Sequence, residues 1–237
     1  MTRISSFMAG QGRGSRAFYV VARTLIVVFT RLWTRARVEG RHHIPATGAF
    51  VLAPVHRSNM DTPISACVTR RRLRFMGKDS LWKHPASAWL LSSLGGFPVT
   101  RGTADREALK RCTLVLEGGE PLVLFPEGER KSGPVVQPLF DGAAYVALRA
   151  GVPIVPVGIG GSERVMPKGA RFIRPRTVRV IVGPPITAAV PAGGRVPRAM
   201  VHDVTAHLHA ALQELFDAAQ AQLGRPNPSS LDQSPAK

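Results

Sequence analysis

Cysteine is scarce in this chain of 237 residues, which contains only Cys67 and Cys112. Both stand among apolar residues in segments that we predict to be helical, and their spacing fits no metal-binding motif. Two such thiols give no disulfide framework of the kind that stabilises small secreted domains. The sequence therefore indicates a reducing compartment, and it predicts no metal site.

Acidic residues are also few, because 15 Asp and Glu stand against 32 Lys and Arg, for a formal net charge of +17. Such an excess predicts an anionic partner, which is nucleic acid, a membrane surface or a phosphorylated substrate. The densest basic run, residues 70–72 followed by Arg74, has no interleaved aromatic platform and no nucleic-acid motif around it. We therefore expect a solvated or lipid-facing charge cluster there, and no nucleic-acid partner.

Long uninterrupted apolar runs are missing as well. The most apolar segment, residues 17–33, is interrupted by Arg23 and is shorter than the ~20 residues that a spanning helix needs. No small-residue cleavage site follows it, which argues against a signal peptide. Its arginines and aromatic residues suit a helix lying in the interface of an anionic membrane leaflet, and the alternative is a helix that packs on the core. We predict a membrane-associating helix over 17–34, in a peripheral or monotopic protein on the cytoplasmic face of the cell membrane.

Strand and helix patterns alternate through the rest of the chain. This alternation predicts an α/β fold with a mostly parallel central sheet flanked by helices, in one domain over 35–223. The basic segment 1–16 and the Pro/Ser-rich tail 224–237 are expected to be disordered. The predicted strands are 38–40, 48–53, 73–77, 97–99, 122–125, 154–158 and 178–182, and the predicted helices are 63–69, 80–94, 104–117, 142–150 and 198–223.

A histidine and an aspartate fall where such a sheet carries its chemistry. The apolar run at 49–52 predicts a buried strand, His56 lies in the loop after it, and Asp61 lies five residues on at a helix start. A carboxylate that accepts one ring N–H fixes the tautomer and aims the other ring nitrogen at a substrate hydroxyl. Taken alone, however, such a pair is more often a loop histidine beside a capping aspartate.

Three further segments overturn that simpler interpretation. HRSNMD at 56–61 is followed by GFPVTR at 96–101, FPEGER at 125–130 and VPIVPV at 152–157. In this order and at these intervals, the four segments resemble the glycerolipid acyltransferase family, whose best-known members are the 1-acylglycerol-3-phosphate O-acyltransferases. The resemblance spans about residues 38–190 and implies that His56 and Asp61 are catalytic.

The same resemblance implies substrate-binding residues. Arg101 and Arg130 match positions that help bind the phosphate of the acceptor, and Glu127 and Gly128 match positions that help hold its glycerol part. Both arginines follow predicted strands, and guanidinium groups bind phosphate through bidentate hydrogen bonds. An ion pair between Glu127 and a neighbouring arginine is a second interpretation that does not exclude the first. Lys168, on a loop after a strand, is a further candidate for the phosphate site.

Three residues depart from the pattern of the family. Val55 stands before the histidine where Asn or Ser is common, Glu129 replaces a small polar residue, and Asp141 replaces a basic one. Val55 removes a possible supporting hydrogen bond, and Glu129 either weakens the positive field or points outward. None of the three removes the histidine–aspartate pair, but all of them bear on which acceptor is used.

The resemblance implies acyl transfer without a covalent enzyme intermediate, because the chain has no Gly-x-Ser-x-Gly motif and no plausibly placed nucleophilic cysteine. The expected donor is the thioester of acyl-CoA or acyl carrier protein, with no further cofactor. The expected acceptor is 1-acylglycerol 3-phosphate, and another lysophospholipid or glycerolipid is the alternative. A metal-dependent hydrolase with His56 and Asp61 as ligands is less well supported, because no further cluster has ligand spacing.

Overall fold

A seven-stranded sheet forms the centre of the protein, whose computed structural model describes residues 13–99, 106–167, 169–187 and 196–228. The strand order is β1-β7-β6-β2-β5-β3-β4, and neighbouring strands are parallel except for β6 and β7, which are antiparallel. The predicted α/β fold with a mostly parallel sheet is therefore confirmed. The strands are β1 (Arg37–Glu39), β2 (Val51–Pro54), β3 (Arg74–Lys78), β4 (Gly96–Val99), β5 (Leu122–Val123), β6 (Ile154–Gly160) and β7 (Arg179–Val182).

Helices pack around this sheet in two groups. Helix α1 contacts α2 and α3, whereas α7 packs along β6 and β7 and also contacts α5, which in turn contacts α4. The backbones of α7 and β6 approach closely, since a Cβ on Gly158 would lie 2.3 Å from the carbonyl of Leu215. The helices are α1 (Arg13–Thr34), α2 (Asp61–Ser65), α3 (Pro85–Ser93), α4 (Arg106–Glu117), α5 (Gly142–Ala150), α6 (Ser162–Val165) and α7 (Arg198–Ala221).

Strand β2 lies in the middle of the sheet, between β6 and β5. All four of its residues are buried, as are all seven residues of β6. Such continuous apolar burial is typical of parallel strands that are covered on both faces. The loop that carries His56 leaves the carboxyl end of β2, so the candidate site is attached to the buried centre of the sheet.

Helix α1 begins at Arg13, four residues before the predicted start. One side of it packs on the domain through buried Tyr19, Val27 and Thr30, whereas Leu25 and Leu32 on the other side are 66% and 75% exposed. The 18-residue stretch Ala17–Thr34 is apolar and long enough to cross a membrane by composition and length alone, and only 22% of it is buried. Core packing and an exposed apolar face therefore coexist in this helix. Disorder was predicted for 1–16 and 224–237, but residues 13–16 belong to α1, and Asn227 donates to the Pro134 carbonyl and to Asp217. The rest of these two segments, 1–12 and 229–237, lies outside the described residues.

The basic run at 70–74 agrees with the prediction at Arg70, which is exposed, and differs from it at the other arginines. Arg74 is 1% exposed, and its guanidinium forms an ion pair with Glu120 instead of being solvated. The guanidinium of Arg72 lies over the ring of Tyr19, and that of Arg71 lies over the ring of Phe50. A charge pattern in sequence does not reveal such partners, because Glu120 is 46 residues away in the chain.

Candidate active site

His56 and Asp61 meet at the carboxyl end of β2. The ring Nδ1 of His56 lies 3.0 Å from Oδ2 of Asp61, whose side chain is fully buried, while the imidazole is 15% exposed. Since the aspartate lies at the start of α2, the short loop between strand and helix is enough to bring the two side chains together. The bond at Nδ1 leaves Nε2 as the ring nitrogen that is available to a substrate.

The loop between the two residues wraps around the carboxylate. The backbone N–H groups of Arg57 and Ser58 both donate to Asp61 Oδ2 at 2.6 Å. The Ser58 hydroxyl accepts from the Met60 N–H at 3.1 Å and donates to the Met166 carbonyl at 2.9 Å, which ties the loop to the end of α6. The aspartate therefore organises the loop as well as the imidazole.

The imidazole ring also packs against an aromatic ring. The ring of His56 stacks on that of Phe125, with centroids 4.0 Å apart and an interplanar angle of 21°. Its backbone is fixed on both sides, because the His56 N–H donates to Glu127 Oε2 at 2.9 Å and the Lys131 N–H donates to the His56 carbonyl at 2.9 Å. The segment 125–131 therefore packs directly against the histidine loop.

A buried ion pair joins the two segments. Nη1 of Arg57 donates to both carboxylate oxygens of Glu127 at 2.7 Å, and Nη2 donates to the Val135 carbonyl at 3.1 Å. The side chains of Arg57 and Glu127 are 1% and 0% exposed. The ion pair that was considered for Glu127 is thus present, and the glycerol-binding role of this residue stays a prediction.

Gly128 and Arg130 form the outer part of the site. Gly128 has a φ of 73°, and a Cβ there would lie 2.6 Å from the Phe140 ring, so both the turn and the packing require glycine. Arg130 is half-buried and makes no hydrogen bond or ion pair within the described ranges. It directly precedes Lys131, which bonds the His56 carbonyl, so its backbone lies beside the histidine loop.

Two predicted phosphate-binding residues, Arg101 and Lys168, lie outside the described residues. Among the described residues, then, the structure brings together His56, Asp61, Glu127, Gly128 and Arg130 around the end of β2. In the part of the chain that is described, no group of three or more His, Cys, Asp or Glu residues could hold a metal ion.

Comparison with known proteins agrees with this arrangement. The family model described as Acyltransferase matches residues 35–160, which is more than half of the chain and includes His56 and Asp61. The chain belongs to the acyltransferase family. The Brassica napus 1-acyl-sn-glycerol-3-phosphate acyltransferase BAT2, a chloroplastic protein, is 28% identical over 153 residues, covering 63% of this chain and 44% of that protein.

The alignment covers a larger share of a shorter relative and of a solved structure. The 1-acyl-sn-glycerol-3-phosphate acyltransferase of Bacillus subtilis is 26% identical over 154 residues, which are 65% of this chain and 74% of that protein. The crystal structure of the 1-acyl-sn-glycerophosphate acyltransferase from Thermotoga maritima superimposes with a TM-score of 0.67 at 25% identity. That alignment covers 86% of this chain and 84% of the other, so the architecture is shared well beyond the four motifs.

The residues that depart from the family pattern all have partners away from the imidazole. Val55 is fully buried and its N–H donates to the Val157 carbonyl, while Asp141 accepts from Thr205 on α7 at 2.9 Å. Glu129 is 62% exposed and pairs with Lys131, so its side chain points outward. None of these three side chains disturbs the pair formed by His56 and Asp61.

Three residues of this acyltransferase site were not anticipated from the sequence: Arg57, Ser58 and Phe125. Phe125 was assigned only to a buried strand, although its position as the first residue of the FPEGER segment was a usable signal. Arg57 is separated from Glu127 by 70 residues, and nothing in the sequence links the two.

The cysteines of the acyltransferase are poor nucleophiles. Burial raises the pKa of the Cys112 thiol to about 12, and burial also raises the pKa of the Cys67 thiol above its usual value. Since the thiolate is the reactive form, neither side chain is prepared for covalent catalysis near neutral pH.

Proposed function

We propose that the protein transfers a fatty acyl group from a thioester to the free hydroxyl of 1-acylglycerol 3-phosphate, which gives phosphatidic acid for phospholipid synthesis. The observation that carries this proposal is the bond between His56 Nδ1 and the buried Asp61, together with Arg130, which has no partner among the described residues. The first two residues supply a base for a hydroxyl, and the arginine supplies a cation for a phosphate.

In the proposed reaction, Nε2 of His56 takes the proton of the acceptor hydroxyl. The hydroxyl oxygen attacks the thioester carbonyl carbon, the C–S bond breaks, and the departing thiolate takes the proton back from the imidazolium. Asp61 stabilises this imidazolium and keeps its tautomer and orientation, as the carboxylate does in serine hydrolases. Stacking on Phe125 limits rotation of the ring, so the base is positioned before the substrate arrives.

The acceptor would be held through its phosphate and its apolar tail. Arg130, together with Arg101 and Lys168, is proposed for the phosphate. An apolar cavity of about 220 Å³ lies between α1, α2 and α3, and its wall includes Thr62 and Pro63, which directly follow Asp61. A cavity of this character next to the site is suited to hydrocarbon and not to a polar substrate.

The exposed apolar face of α1 supports attachment to an anionic membrane surface, on the cytoplasmic face of the cell membrane. Lysophosphatidic acid lies at such a surface, and the net charge of +17 attracts the protein to it. Both acyl-CoA and acyl carrier protein are anionic, so the same charge favours either donor. A different lysophospholipid or glycerolipid acceptor is the alternative within the family.

A panel of acceptors with purified protein tests the proposal. Acyl-CoA and acyl carrier protein thioesters are each supplied with lysophosphatidic acid, lysophosphatidylcholine and glycerol 3-phosphate, and free thiol is followed. We expect the fastest release with lysophosphatidic acid. Equal or faster transfer to the choline diester would favour the alternative acceptor, and thiol release without any acceptor would indicate a thioesterase.

A further inference from the structure

A second cavity, distinct from the site at His56, is lined by five arginines and, among the residues that the structure describes, by no acidic one. Its volume is about 490 Å³, and its other walls are formed by residues 44–46 and 67–69 with Val27 of α1. Such a concentration of one charge in a concave surface focuses a positive potential inside it. The five arginines, called the arginine cavity below, are Arg23, Arg31, Arg41, Arg70 and Arg71.

The arginine cavity lies at the end of the sheet where β2 begins, opposite to the end that carries His56. Arg71 contacts the ring of Phe50, which precedes β2, whereas His56 follows the carboxyl end of that strand. Arg70 precedes β3, which runs parallel to β5 and therefore to β2. Strand β1 is parallel to β7, β7 is antiparallel to β6, and β6 is parallel to β2. Strand β1 therefore runs antiparallel to β2, and Arg41, which follows β1, lies at the end where β2 begins. All of these positions lie at the amino end of β2, so the arginine cavity is separate from His56 and Asp61. Arg23 also lines the apolar cavity proposed for the tail of the acceptor, so the two cavities adjoin there.

Three of the arginines are fixed by backbone carbonyls at the end of α2. Arg31 and Arg41 both donate to the Cys67 carbonyl, at 3.2 and 3.0 Å, and Arg23 donates to the carbonyls of Ala66 and Thr69. These bonds use Nη2 in every case. Nε of Arg23 and of Arg31 is buried and has no hydrogen-bond partner in the described part of the chain. Each guanidinium has five N–H donors, so donors remain for an anion in the cavity.

The position of the cavity on α1 indicates a lipid. Arg23, Val27 and Arg31 recur every four residues and face the cavity, while the adjacent side of the same helix exposes Val21, Leu25, Val28 and Leu32. An anion held by the arginines therefore lies next to a surface suited to hydrocarbon. A free anion would gain nothing from that neighbouring surface.

We propose that the arginine cavity binds the phosphate headgroup of an anionic phospholipid, with the acyl chains lying along the exposed face of α1. The site is additional to the catalytic one and does not depend on the acyl acceptor. By holding a lipid at the end of the sheet opposite to His56, the arginine cavity would set the orientation of α1 on the membrane as well as the strength of attachment.

Titration calorimetry of the full chain with soluble dihexanoyl phosphatidylglycerol, below its micelle concentration, tests the proposal. The cavity variant carries Arg41→Gln and Arg70→Gln, whose side chains are exposed. We expect both substitutions to leave the fold intact, and circular dichroism checks this. The control carries Arg198→Gln and Arg225→Gln, which remove the same charge from the start of α7 and from just beyond its end. We expect lipid affinity to fall by about tenfold or more in the cavity variant and by less than about twofold in the control.

Several results would overturn the proposal. If lipid affinity falls equally in both double variants, the lipid is attracted by the overall positive charge and not bound at a specific site. Inorganic phosphate that binds the wild-type protein as tightly as the lipid would indicate a free-phosphate site. Loss of lipid binding in Arg130→Ala but not in the cavity variant would place the lipid at the site of His56 and Asp61. Because the readout is binding and not acyl transfer, failure here leaves the proposed reaction untouched, and the reverse also holds.

Discussion

Oδ2 of Asp61 lies 3.0 Å from His56 Nδ1 while it also accepts the N–H groups of Arg57 and Ser58 at 2.6 Å. One oxygen thus organises the catalytic ring and the backbone of the loop that carries it. The cost of a buried carboxylate is offset by these three donors, so the aspartate has a structural and a chemical role at the same position.

Replacement of Asp61 by Asn separates these roles. The amide is nearly isosteric, and its oxygen can replace Oδ2, which accepts all three donors while Oδ1 has no partner among the described residues. The amide carries no charge, however, so it keeps the loop but cannot stabilise the imidazolium. We expect kcat to fall by about 10³- to 10⁴-fold, as in serine hydrolases, with a smaller change in KM. A kcat within about tenfold of wild type, in protein with an unchanged melting temperature, would show that the negative charge of Asp61 is unimportant for catalysis.

Glu127→Ala should destabilise the fold. It leaves Arg57 buried without its carboxylate, a change that typically costs about 3–5 kcal/mol. Urea denaturation measures the loss, and Lys131→Ala is the matched control because it breaks the exposed pair with Glu129, which is worth about 0–1 kcal/mol. If both variants lose the same stability, the buried pair does not hold the two segments together.

Arg130→Ala should act on the acceptor and not on the donor. A charge-assisted hydrogen bond to phosphate is worth about 1.5–3 kcal/mol, so the KM for lysophosphatidic acid should rise by about tenfold or more. The KM for the acyl thioester should change much less, and Lys131→Ala, one residue along, controls for loss of charge. An unchanged acceptor KM, or a parallel rise for the donor, would remove Arg130 from the phosphate site.

The outer face of α1 should control membrane attachment. Leu25, Phe29 and Leu32 are exposed, and their joint replacement by Ser removes apolar surface while leaving the packed side of the helix intact. We expect co-sedimentation with anionic vesicles to fall severalfold, whereas Leu114→Ser, an exposed leucine on α4, should leave it unchanged. Equal sedimentation of the triple variant and the wild-type protein would place the attachment elsewhere.

Local patterns predicted the parts of this structure that depend on near neighbours. His56 and Asp61 meet because a short loop separates a buried strand from a helix start, and Gly128 marks a turn that only glycine adopts easily. The pairing of Arg57 with Glu127 and of Arg74 with Glu120 was not predictable, because strand order decides which distant residues meet. The predicted length of strand 122–125 was also too great: β5 ends at Val123, since the chain turns there to place Phe125 against His56.

The rate of acyl transfer to lysophosphatidic acid by wild-type protein and by His56→Ala is the measurement that tests the account most directly. The alanine variant should keep its circular dichroism spectrum, because Val51 and Leu52 anchor the strand that precedes the loop. Removing the general base should lower kcat by about 10²–10⁴-fold or more. A folded His56→Ala protein that transfers acyl groups at the wild-type rate would contradict the assignment of His56 as the base and, with it, the proposed mechanism.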